Sequence, residues 1–180
     1  MQIRTFAELL EAARAKGPKT VAIAAGHQAE VMLAGLDAEV AGLAEVILVG
    51  DAHLTRSIAV DQDFDISGMD LVDAPDHREA AYQVMKLVSD GSADIAMKGA
   101  VETSDFLRAA LSKDLHLRTG GLFTHVAVFE IPGFDRLIFI SDAGVVVAPD
   151  LEQKVEIVQN AIDVARSLGI ERPRVAVLAA

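Results

Sequence analysis

Asp94-Ile95-Ala96-Met97-Lys98-Gly99-Ala100-Val101-Glu102-Thr103 opens as a strand and ends where a helix begins, and its pattern recurs along the chain. Val21-Ala22-Ile23-Ala24 follows Pro18-Lys19 as a strand, and His27–Gly42 has helical spacing. Val46-Ile47-Leu48-Val49, closed by Gly50-Asp51, is a second strand, and Met69-Asp70-Leu71-Val72 a third. Asp76–Ser89 reads as a helix with Ala80, Val84, Leu87 and Val88 on one face. Strands of continuous apolar character that alternate with helices predict an α/β fold in three layers, a mostly parallel sheet with helices on both faces.

After Gly120-Gly121 the pattern changes. His125–Ile131 and Arg136–Ile140 are apolar runs separated by Pro132-Gly133-Phe134-Asp135, which predicts an antiparallel hairpin and the start of a second lobe. Asp150 is placed to cap a long helix, with Gln153 positioned to reach back as in a capping box. Leu151, Val155, Val158, Ile162 and Ala165 fall on one helical stripe, and Gly169 follows as a C′ residue. Val175–Ala180 reads as a further buried parallel strand. The candidate division falls at Thr119–Gly121, which separates 1–119 from 120–180.

Of the 180 residues 52% are hydrophobic, enough for a packed core. The opening Met1–Lys19 has the amphipathic spacing of an ordinary helix and lacks the long apolar run of a secretory signal. No segment approaches the roughly 20 apolar residues of a membrane helix, so a cytoplasmic protein with no membrane partner is expected. The absence of cysteine excludes disulfides, thiolate metal sites and cysteine nucleophiles. A net charge of −11 disfavours nucleic acid. A small anion responds to the local field instead, so clustered cations still count.

Two segments cluster them. Lys98-Gly99 lies where a parallel strand delivers its carboxyl end, the usual ligand edge of such sheets, and the helix opening near Thr103 offers free N–H groups that favour anions. An ordinary surface lysine in a strand–helix loop would look the same. Arg108, Lys113, His116 and Arg118 gather cations within eleven residues, in a chain otherwise acidic. Arginine suits bidentate phosphate contacts, yet cations also suit a solvated helix end. Asp51 has N-capping as its more natural task. The histidines, His27, His53, His77, His116 and His125, show no i, i+4 pair, and no metal is assigned. Dinucleotide, P-loop and nucleophile-elbow motifs are missing as well.

Taken in order, VILVGD (Val46–Asp51), MKGAVETSDFLRAAL (Met97–Leu111), LRTGGLFTHVAVFEIPGFDRLIFISDAG (Leu117–Gly144), APDLEQKVEIVQNAIDVARSLGI (Ala148–Ile170) and PRVAVLAA (Pro173–Ala180) resemble the phosphate acetyl/butyryltransferase family, most of all its butyryltransferase branch. The resemblance implies two α/β lobes around a cleft and, usually, a homodimer. It implies acyl exchange between coenzyme A and inorganic phosphate, with the CoA thioester as substrate and no separate cofactor. By motif position Arg108 is the family arginine facing phosphate, the expected catalytic residue. Lys98, Gly99 and Thr103 line the cleft mouth and Arg118 is a further substrate-binding candidate. Thr124 stands where relatives often carry serine, which keeps the hydroxyl. The family's carboxylate base and its serine–arginine pair lie downstream of the segment matching VAVLAA. The resemblance therefore implies an acyltransferase present as its front part, or a non-catalytic module that keeps an anion- and CoA-binding cleft without the base. A two-lobed hydroxyacid dehydrogenase would need cofactor and metal motifs not found here.

Overall fold

The computed structural model describes residues 2–178, which divide into two compact units. One is Ala13–Arg118; the other joins the described residues of Met1–Ala12 to those of Thr119–Ala180. The opening residues, expected in the first lobe, thus group with the later segment. Within that unit the Ile3 N–H donates to the Leu168 carbonyl at 2.9 Å and the Phe6 N–H to Glu130 Oε2 at 2.6 Å. The boundary falls inside α1 (Phe6–Arg14).

The described residues of Ala13–Arg118 form β1 (Lys19–Ala24), α2 (Ala29–Val40), β2 (Ala44–Gly50), α3 (Ala52–Asp61), β3 (Asp70–Asp73), α4 (His77–Ser89), β4 (Ile95–Lys98) and α5 (Thr103–Ala110). The strands are parallel in the order β3-β2-β1-β4, with Val21 opposite both Val46 and Ile95. Because side chains alternate across a strand, β1 feeds two cores. Ala22 and Ala24 join Val49, Ala80 and Val84 on the α4 face. Ile23 joins Val46, Leu48, Met32 of α2 and Ala59 of α3 on the other. This is the expected three-layer α/β architecture.

Local chemistry sets the ends. Asp94, expected to begin β4, instead accepts the Thr20 N–H at 3.0 Å and the Lys19 ammonium at 3.3 Å, joining the start of β1 to that of β4. These bonds, the Thr20 amide first and Lys19 second, hold its carboxyl below the usual range. Asp76 caps α4 by accepting from the Arg78 and Glu79 N–H groups, and Asp51 caps α3 through the Leu54 N–H at 2.8 Å. The helix expected from His27 starts at Ala29, because residue 25 takes a left-handed φ of 51° and the chain turns before it coils.

In the other unit β5 (Ala127–Glu130) and β6 (Leu137–Ile140) form the expected hairpin, with Val128 opposite Phe139. Gly133 has a φ of 89° in the connecting turn, a conformation glycine adopts without steric cost. The capping box of Asp150 and Gln153 opens α6 (Leu151–Ser167), and Gly169 follows its C-cap. The apolar stripe differs from expectation. Ile157 and Ala165 are buried, whereas Leu151 and Val155 are exposed. Polar anchors decide which face turns inward: Glu156 accepts the Leu122 N–H at 2.7 Å, and Asn160 donates to the Leu122 carbonyl and Thr124 Oγ1. The strand expected over Val175–Ala180 is also corrected. Residues 175–178 are not a strand, since no described strand lies alongside to exchange ladder bonds; Ala179 and Ala180 lie outside the described residues.

Candidate functional site

The strand order places a topological switch point between β1 and β4: the chain moves outward through β2 and β3, then returns to the opposite side of β1. Ligands of open α/β sheets bind beyond the carboxyl ends of the strands at such a point. Here those ends deliver residues 25–28 after β1, Gly50-Asp51 after β2, Asp76-His77-Arg78 after β3 and Lys98–Thr103 after β4.

Close backbone approach shapes this edge. A Cβ on Gly99 would stand 2.4 Å from the Ala24 carbonyl oxygen and 2.9 Å from that of Ala25, so a side chain is excluded there. The Gly99 N–H donates to the Ala24 carbonyl at 2.9 Å, extending the β1–β4 ladder by one step. Gly99 therefore seals the seam between the two strands. Lys98, at the end of β4, folds its ammonium onto the Val101 carbonyl at 2.9 Å and the Gly99 carbonyl at 3.3 Å, which pins the loop. Thr103 opens α5 after Glu102, an N-cap whose side chain makes no capping bond.

Arg108 lies in the last turn of α5 with its guanidinium 67% exposed, and pairs with Asp105 one turn back. Five positions separate it from Thr103. At 3.6 residues per turn that is about 140° around the helix, so the two side chains leave α5 in different directions. Arg118 is exposed past α5 and meets no carboxylate among the described residues. The edge thus brings Lys98 and Gly99 together in one loop; Thr103 and Arg108 share a helix but not a face.

Two groups here escaped the sequence reading. The first is His27 with His77, whose ring centroids are 5.5 Å apart. Nδ1 of His27 is buried without a hydrogen-bond partner, and a Cβ on Gly50 would come within 3.0 Å of it. Burial, then the neighbouring His77, push the His27 pKa down, and Asp51 partly opposes them. The second is Arg78, whose Nε lies 3.3 Å from the same Asp105 that holds Arg108. No short-range spacing announces either pair, since each joins side chains from separate elements. Among the described residues no three His, Asp or Glu side chains are placed to hold a metal ion. Two surface hollows, one bordered by Arg56, Val60, Phe64 and Met69 and one by Phe6, Glu130 and Phe134, contain none of the residues above.

The chain has relatives among known proteins. Residues 76–180 match the family described as phosphate acetyl/butaryl transferase. The chain belongs to that family. It is 42% identical over 178 residues to the phosphate butyryltransferase of Clostridium acetobutylicum, covering 99% of this chain and 59% of that one. It is 36% identical over 176 residues to a phosphate acetyltransferase of Rhizobium meliloti, covering 97% and 55%. A branched-chain phosphotransacylase from Enterococcus faecalis V583 superposes with a TM-score of 0.72 at 26% identity, covering 86% of this chain and 54% of that one. A phosphotransacetylase from Streptococcus pyogenes has the same fold, with a TM-score of 0.78 at 18% identity, over 93% and 60% of the two chains. The chain therefore spans somewhat more than half the length of the relatives it matches.

Proposed function

We propose that the protein takes part in acyl transfer between coenzyme A and inorganic phosphate: acyl-CoA and phosphate give acyl phosphate and CoA, reversibly. The observation that carries this reading is the 42% identity to a phosphate butyryltransferase over 99% of the chain. In the forward direction a phosphate oxygen bonds to the thioester carbon, the C–S bond breaks, and the thiolate leaves to be protonated.

Two anionic reactants must meet, and negative charge develops on the thioester oxygen. Positioned cations and N–H donors ease both problems by holding the reactants together and by stabilising charge as it forms. Arg108 takes the catalytic part, facing phosphate, and Asp105 fixes one side of its guanidinium in advance. Lys98, Gly99 and Thr103 border the substrate at the end of β4, with Arg118 as a further contact. Lys98 acts in this reading by pinning the loop that presents the α5 N-terminus. CoA enters as substrate, and no separate cofactor is called for. The family resemblance supports a homodimer, and the character of Met1–Lys19 supports a cytoplasmic setting. No described helix is long and apolar enough to cross a membrane.

The test is release of free thiol from butyryl-CoA or acetyl-CoA. Release that requires inorganic phosphate is the expected result. A protein that neither releases thiol nor binds CoA would contradict the proposal.

A further inference from the structure

Arg78 is the second residue of α4 and Asp105 the third of α5, 27 positions apart in sequence. Both helices begin beyond the carboxyl ends of their strands, and Asp105 pairs through Oδ1 with the guanidiniums of both Arg78 and Arg108. The carboxylate is 14% exposed, while the arginine side chains are 75% and 67% exposed. Arg78 spends its Nε on Asp105, and Arg108 one terminal nitrogen; no other acceptor among the described residues meets either guanidinium.

One carboxylate cannot neutralise two guanidiniums, so the trio carries a surplus positive charge in a strongly acidic chain. Among the described residues no second carboxylate pairs with either guanidinium. Asp76 accepts the first N–H groups of α4, and Glu79 accepts from Gln83. Helix docking gives little reason for the arrangement. Ala81, Met85, Ala109 and Leu115 already pack α4 against α5 and the segment after it, and exposed ion pairs add little to stability. Two largely exposed guanidiniums paired with one carboxylate, whose remaining N–H groups meet no other acceptor among the described residues, suit an oxyanion that accepts several hydrogen bonds at once.

We propose that Arg78 is a second anion-binding arginine of this site, and that Asp105 is a positioning residue that sets Arg78 and Arg108 around one phosphate-type group. The inference rests on the role given to Arg108 above. The group is inorganic phosphate or a phosphate of CoA, which share the same chemistry.

Calorimetric titration of the 180-residue chain with inorganic phosphate, CoA and dephospho-CoA tests this. Arg78→Ala should weaken binding of phosphate or of CoA about tenfold, the loss expected for an exposed charge-assisted contact. Thermal unfolding should stay near that of the parent, and Arg78→Lys should restore only part of the affinity, because an ammonium lacks the fork. An effect seen with inorganic phosphate identifies that ion. An effect on CoA that vanishes with dephospho-CoA identifies the 3′-phosphate. Asp105→Asn separates positioning from simple electrostatics: removing a negative charge should tighten anion binding, whereas loss of positioning weakens it. Weaker binding by a stably folded Asp105→Asn is expected, and unchanged or tighter binding overturns the positioning role. Parent-like affinity in Arg78→Ala alongside weakened binding in Arg108→Ala overturns this inference and leaves the proposed function standing. Absence of phosphate and CoA binding by the parent chain overturns both.

Discussion

Val21-Ala22-Ile23-Ala24 and Val175-Ala176-Val177-Leu178 are both wholly apolar runs that open with Val-Ala, and they end in opposite surroundings. The first is the heart of β1, with Ala22, Ile23 and Ala24 at 0–1% exposure. The second is not a strand, and Val175, Val177 and Leu178 are 51%, 74% and 87% exposed. The difference lies in neighbours. β1 has β2 on one side and β4 on the other, so every residue gains ladder bonds and a helix layer above or below. Residues 175–178 have no described strand beside them. An apolar tetrapeptide is thus permission to form a strand, and pairing is what makes one.

The sharpest way to break the contrast is to empty the buried side of it. Ile23→Ala should cost about 2–5 kcal/mol of stability, since the methyl groups lost lie between Met32, Leu48 and Ala59 and leave a cavity. Denaturant unfolding measures it. Next comes the seam. Gly99→Ala would press a methyl group onto the backbone oxygens of Ala24 and Ala25, where nothing flexible can give way, and should destabilise by roughly 1–3 kcal/mol. Hydrogen exchange should show the amide at position 99 less protected in that variant than in the parent. At the small end, Val177→Ala should change stability by less than about 0.5 kcal/mol, the range of an exposed substitution. A loss comparable to that of Ile23→Ala would mean that the second tetrapeptide is packed as the first is.

The carboxyl end of β1 adds a pH-dependent test. His27 has its pKa lowered from 6.5 by burial first, then by His77, against the pull of Asp51. Its neutral form is therefore the one the fold favours. Above about pH 6.5 the ring is neutral in both folded and unfolded chains. Below that value the unfolded chain binds the proton first, and stability falls until the folded ring also protonates. His27→Gln should flatten part of the decline in melting temperature between about pH 7.5 and about pH 5. A slope identical to the parent's would remove His27 from the list of acid-sensitive groups.

Legibility in the sequence followed the range of the interaction. Buried parallel strands announce themselves as short apolar runs, and capping residues act within three positions, so β1, β2 and the starts of α3, α4 and α6 could be read directly. Lys98-Gly99 was legible as a strand-to-helix junction, though the obligatory glycine there depends on Ala24 and Ala25, far away in sequence. The face of α6 was misread because Glu156 and Asn160 fix it through residues 122–124, which periodicity does not include. Arg78 went unnoticed because its significance lies in an acid on another helix. His27 and His77 likewise meet only once β1 and α4 are in place. Family resemblance pointed to Arg108 as an expected site residue, but not to Asp105, the carboxylate that pairs with it.

The proposed function requires that Arg108 of α5, together with the loop that follows β4, bind a phosphate group in a protein whose net charge is −11. The most direct test compares inorganic phosphate binding by the parent chain and by Arg108→Ala at low ionic strength, where exposed charges act with least screening. Saturable binding by the parent, weakened about tenfold or more in the variant, is the predicted result. Equal affinity in the two proteins would contradict it.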